Sequence, residues 1–98
     1  QLKAYAHLQA ANIAFQNELD DKALANYELV IKELESKQYD EDEKGYLMQA
    51  YKNAGYIYWG SKKDLTTAQP YFEKLIKLDP NNSLAKKALG LDEEQQAQ

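Results

Sequence analysis

Apolar side chains return every three to four residues along most of this chain, and short polar clusters cut that rhythm into five stretches. Such a period gathers the apolar positions on one face of a helix, whereas a half-buried strand would alternate at every second residue. From Leu2 to Asn17 the rhythm passes through Ala6, Ala10, Ile13 and Ala14, and Glu18, Leu19, Asp20 and Asp21 interrupt it. Ala23, Leu24, Tyr27, Val30, Ile31 and Leu34 carry a second stripe to about Lys37, with Asp20 or Asp21 placed to cap it. A third uses Tyr46, Leu47, Ala50, Tyr51, Ala54, Ile57 and Tyr58 and ends near Gly60. The fourth follows Asp64 or Thr66 as cap and runs through Ala68, Tyr71, Phe72, Leu75, Ile76 and Leu78. It stops at Asp79-Pro80, because proline cannot continue a helix and draws its predecessor away from helical geometry. Pro70 lies near the start of this helix, where its missing N–H costs less than in the interior. Ser83 is placed to cap a last helix through Leu84, Ala88 and Leu89, and residues 91–98 form a polar tail.

The reading is therefore all-α. Short connections favour antiparallel neighbours, which makes one hairpin over about 2–37, a second over about 43–78 and a closing helix over about 83–90, all in one domain spanning 1–90. The two hairpins can be laid over each other. Ala10, Ala11 and Ala14 correspond to Ala54, Gly55 and Tyr58, each 44 residues later, while Ala23, Tyr27 and Val30 correspond to Ala68, Phe72 and Leu75, each 45 later. The match needs one extra residue in the second hairpin turn. Small residues let neighbouring helix backbones approach, and a large one four residues on fills the gap that remains.

Tyr51, Ala54, Gly55 and Tyr58, then Ala68 and Phe72, then Pro80 together resemble the pattern of the tetratricopeptide repeat. The first hairpin meets that pattern in its second half, at Ala23, Tyr27 and Val30. His7 stands in the slot of the large residue, Ala14 in that of the tyrosine and Glu35 in that of the closing proline. Leu89 and Gly90 repeat the Leu-Gly slots in the closing helix. The resemblance implies a right-handed stack of antiparallel helix hairpins, an α-α superhelix of two repeats plus a C-terminal capping helix. The family period is about 34 residues, so residues 35–44 either lengthen the flanking helices or protrude as a loop. Such stacks need about three or more repeats for stability, which leads us to expect a longer parent chain or a partner subunit. The first residue, Gln1 and not Met, points to a piece of a longer protein.

By the same resemblance, the chain is expected to bind a protein or peptide on the concave side, which the first helix of each pair lines. With Tyr51, Ala54, Gly55 and Tyr58 committed inward, the third helix presents Gln49, Lys52, Asn53, Tyr56 and Trp59. Leu8, Asn12, Phe15 and Gln16 are the counterparts on the first. Tyrosine and tryptophan are effective anchors, although Trp59 is equally placed to pack on a neighbouring helix. Asn12 and Asn53 fall in slots like the asparagines with which one subtype of the family clamps a C-terminal carboxylate. Its basic slots hold Leu8, Leu84 and Ala88, so the charge-assisted bonds are missing and carboxylate-tail capture is excluded. The asparagines are then expected to serve the backbone of an extended peptide. A second reading is a structural segment, one that self-associates or packs within a longer parent through the end of the stack near the first helix.

Composition narrows the classes further. All twelve basic residues are lysines and the net charge is −4, which argues against a nucleic-acid surface, where arginines normally make bidentate contacts. Without cysteine there is neither a disulfide nor a thiolate site, and the compartment stays open. No apolar run approaches the ~18 residues of a membrane span. His7 is the only histidine, with no nucleophile and acid arranged around it, and no glycine-rich loop offers a phosphate cradle. Asp40, Asp42 and Gly45 have the spacing of a calcium loop, but Lys44 and Tyr51 occupy ligand positions, so a solvated acidic turn before the third helix fits better. Neither catalysis nor a cofactor is expected.

Overall fold

A computed structural model describes residues 2–91. Five α-helices follow one another: α1 (Leu2–Gln16), α2 (Asp20–Glu35), α3 (Glu41–Tyr56), α4 (Leu65–Leu78) and α5 (Ser83–Ala88). A π-helical turn, Ile57–Ser61, continues α3. Among the described residues there is no strand, and no helix is long and apolar enough to cross a membrane. α1 pairs with α2 and α3 with α4, α3 also packs on the first hairpin, and α5 covers α4. The stack measures 45 × 29 × 19 Å.

Local chemistry explains the helix ends. Asp40 accepts from the Glu43 N–H at 2.8 Å while the Glu43 carboxylate accepts from the Asp40 N–H at 3.1 Å, a reciprocal capping box that starts α3. Glu43 is 2 % exposed and pairs with Lys37 at 2.9 Å. One acid of the acidic turn is thus buried and not solvated. Asp64 caps α4 by accepting from the Thr67 N–H at 3.1 Å. α2 starts from Leu19 without a side-chain cap, and Asp20 and Asp21 lie instead in its first turn, where their charge faces the positive end of the helix. At α5 the cap is Asn82, not Ser83, accepting from the Ala85 N–H at 3.0 Å. Between α2 and α3 only residues 36–40 are non-helical, so part of the inserted stretch lengthens the helices and no long loop protrudes.

Both hairpins turn through a residue in the left-handed region, Glu18 (φ 60°) and Lys63 (φ 54°), again 45 positions apart. The extra residue of the second hairpin is taken up by the π turn that ends α3. In the first turn the Leu19 N–H reaches back to the Ala14 carbonyl at 2.9 Å, and in the second the Asp64 N–H reaches the Tyr58 carbonyl, one residue further, at 2.8 Å. A π turn is the usual way for a helix to absorb one added residue.

Tyr27, Leu34, Leu47, Ile57, Phe72 and Leu75 are fully buried and join the two hairpins in one core. At Gly55 a Cβ would stand 3.0 Å from the Phe72 ring, so the ring lies directly on the α3 backbone. One expected face is corrected. Ala6 and Ala10 are exposed and Ile13 is 61 % exposed, whereas Ala4, Leu8, Ala11 and Ala14 enter the core. α1 is so rich in alanine and so poor in charge that its own sequence singles out no face. Of the polar tail expected over 91–98, residues 92–98 lie outside the described ones.

Candidate functional site

α1 and α3 lie side by side along a seam spaced at helical intervals. Tyr5 meets Tyr46 with ring centroids 5.5 Å apart, Asn12 meets Gln49 and Asn53, and Phe15 meets Tyr56 edge to face at 6.1 Å. Positions 5, 8, 12 and 15 of α1 share one stripe. Leu8 therefore sits on the seam between Tyr5 and Asn12, and it is 2 % exposed. Expected as a surface contact, it is instead a core residue, because α3 stacks over the side of α1 that carries it.

At the middle of the seam a polar network is built by three helices. The Tyr27 hydroxyl of α2 donates to Asn12 Oδ1 at 2.5 Å and accepts from Asn53 Nδ2 at 2.8 Å. Asn53 Nδ2 also lies 3.4 Å from Asn12 Oδ1, and Asn12 Nδ2 donates to Gln49 Oε1 at 3.3 Å. Burial holds the Tyr27 phenol above its ordinary pKa of 10.0, outweighing the opposite effect of Asn53. It stays a neutral donor throughout the physiological range. Among the described residues, Asn53 Oδ1 and Gln49 Nε2 have no protein partner, which leaves one acceptor and one donor on the same network.

Around the network stand the remaining residues singled out from the sequence. Tyr56 is 45 % exposed, with its ring between Phe15 and Gly60. Gln16 and Lys52 are exposed, and Phe15 is half-buried, touching Tyr27 as well as Tyr56. Lys52 also borders a hollow of about 130 Å³ with Met48, Gln49, Leu75 and Asn82. Trp59 is set apart. It stands one helical turn beyond Gly55, whose backbone the Phe72 ring covers, and packs edge to face on Phe72 at 5.8 Å. The structure thus brings together Asn12, Phe15, Gln49, Asn53 and Tyr56, with Gln16 and Lys52 at the rim.

A concavity of about 680 Å³ on the α2–α4 side, bordered by Glu28, Leu29, Lys32, Pro70, Tyr71 and Lys74, has no counterpart among the residues expected from the sequence. Tyr71 donates to Glu28 and stacks on Tyr58 at 5.7 Å; Tyr51 donates to Glu35, which also holds Lys74 at 3.1 Å. Burial, reinforced by the bonded carboxylates, pushes both phenols well above the ordinary tyrosine value. Glu35 was the available signal, since it stands where a closing proline belongs and bridges the two hairpins instead.

The family model of the tetratricopeptide repeat aligns with residues 48–82, the segment that contains the second half of α3, the π turn and all of α4. No curated protein and no solved structure gives a significant match to the chain.

Proposed function

We propose, from the premise that this chain carries a tetratricopeptide repeat and that such repeats are protein-interaction modules, that it binds an extended peptide segment across the α1–α3 seam. The observation that carries this reading is the network centred on Tyr27. Its two unused groups, the Asn53 carbonyl oxygen and the Gln49 amide nitrogen, match the N–H and C=O of one peptide unit. Tyr56 beside them offers an aromatic surface for a ligand side chain, and Lys52 adds a single positive charge at the rim. With leucine at positions 8 and 84 and alanine at 88, the basic slots of a carboxylate clamp are empty and Lys52 stands alone, which favours an internal segment over a chain end. The partner is a protein and the module acts as a scaffold or adaptor.

Peptides selected from a displayed random library against the full chain supply the probe. Titration by backbone NMR is expected to move the resonances of Gln49, Asn53 and Tyr56 first. Tyr56→Ala should weaken binding about tenfold, equivalent to about 1.4 kcal/mol, and Asn53→Ala by a similar factor. Leu29→Ala, on the α2–α4 side, should leave affinity unchanged. Full affinity in both the Tyr56 and Asn53 variants would reject the seam, and loss confined to Leu29→Ala would place the site in the α2–α4 concavity.

A further inference from the structure

Gly45 is a glycine that the fold itself does not call for. It is the fifth residue of α3, inside the helix, where glycine is the least favourable residue after proline. Its φ is not in the left-handed region, and a Cβ placed on it would meet nothing within 4 Å. Gly55 of the same helix is the contrast, since there the Phe72 ring lies against the position a Cβ would take. Neither backbone conformation nor close packing therefore requires glycine at position 45. What Gly45 does border is the hollow of about 130 Å³ that it shares with Met48, Gln49, Lys52, Leu75 and Asn82. The missing side chain keeps that space open.

We infer that the hollow receives one aliphatic side chain of the peptide bound at the seam, an inference that rests on that reading of the seam. The lining is apolar where it is buried, with Leu75 0 % exposed and Met48 half-buried, and polar where it is exposed, at Gln49 and Lys52. Gln49 belongs to both places: it borders the hollow, and its Oε1 accepts from Asn12 in the network. A peptide bonded at Gln49 and Asn53 therefore passes the mouth of the hollow. Size selects the side chain. A space of about 150 Å³ holds a benzene-sized group, so 130 Å³ suits valine, leucine or methionine and is too small for an indole. The lining residues of α3, from Gly45 to Lys52, are centred about 11 Å along the axis from Tyr56, at about 1.5 Å per residue. An extended chain covers that distance in about three residues. The ligand pattern is thus one residue against Tyr56 and an aliphatic residue three positions from it.

In peptides selected from a displayed random library, replacing that aliphatic residue by alanine should weaken binding to the full chain about tenfold. Gly45→Leu fills the hollow from the protein side. It should weaken the parent peptide about tenfold and leave the alanine-substituted peptide unchanged, because the latter no longer uses the space. Gly45→Ala should raise the thermal midpoint of the free chain, as replacement of an interior helix glycine does where the fold does not need it. Tyr56→Ala and Asn53→Ala should weaken both peptides alike, which separates the seam from the hollow. If those two variants lose affinity while Gly45→Leu keeps it, or if Gly45→Leu weakens both peptides equally, the inference is overturned with the seam intact. Full affinity in the Tyr56 and Asn53 variants rejects the seam and the inference with it. A lower thermal midpoint for Gly45→Ala overturns it too, by showing that the fold requires the glycine.

Discussion

The Tyr27 hydroxyl links three helices: it belongs to α2, donates to Asn12 of α1 and accepts from Asn53 of α3. Its ring is 0 % exposed. Replacing Tyr27 by Phe keeps the packing and removes the bridge, leaving the two asparagines to pair imperfectly with each other. Loss of such a bond costs about 1–2 kcal/mol, so denaturant unfolding of Tyr27→Phe should show a lower midpoint with an unchanged slope. An unchanged midpoint would mean that water replaces the hydroxyl at no cost. That Tyr27 is a core residue was legible from the stripe through Ala23, Tyr27 and Val30. Its bonding partners were not, because they lie 15 and 26 residues away on other helices, and no local pattern records which polar groups meet across a stack.

At the scale of the element, the start of α3 joins a capping box to an ion pair, and both depend on Glu43. The Lys37 ammonium, together with the Asp40 N–H, holds the Glu43 carboxyl below its ordinary value of 4.5. The folded state thus binds a proton at Glu43 less readily than the unfolded state does. The resulting stabilisation is present in full above pH 4.5 and is lost as the pH falls through the lower, folded-state value. Glutamine at this position keeps the capping bond and cannot ionise. Thermal unfolding should then show Glu43→Gln less stable than the parent at neutral pH, with the gap closing on acidification. A gap independent of pH would show that the charge of Glu43 contributes nothing. Here the sequence was partly readable: an acidic run before a helix is a common signal, but which acid turns inward depends on Lys37 arriving from the end of α2.

Across the whole molecule, α3 couples the two hairpins, since it packs on α1, α2 and α4. The core is shared by both hairpins. Damage to the first hairpin should therefore be felt in the second. Leu8→Ala empties a buried position in α1, a change that costs about 2–5 kcal/mol. Trp59, the sole tryptophan, lies beyond α3 and reports on the second hairpin. Its fluorescence should unfold at the same reduced denaturant concentration as the far-ultraviolet circular dichroism of the whole chain, as a single cooperative transition requires. Separate transitions would instead show two hairpins that fold independently.

The number of helices, their order and the repeat relating the hairpins follow from the sequence alone, because helical spacing, caps and proline act over a few residues. The inward-facing set of α2, α3 and α4 follows as well, since each has a distinct apolar stripe. The burial of α1 was decided only by the tertiary structure: a nearly uncharged, alanine-rich helix has no preferred side until its neighbours choose one. Leu8 entered the core because α3 covers it, and Ile13 stayed outside because no described element does. Trp59 faces Phe72 and not the seam because it lies one turn beyond Gly55, where the Phe72 ring of α4 rests. The placement of the site residues likewise rests on how the helices stack, since the network that joins Asn12, Tyr27, Gln49 and Asn53 exists only once three helices meet.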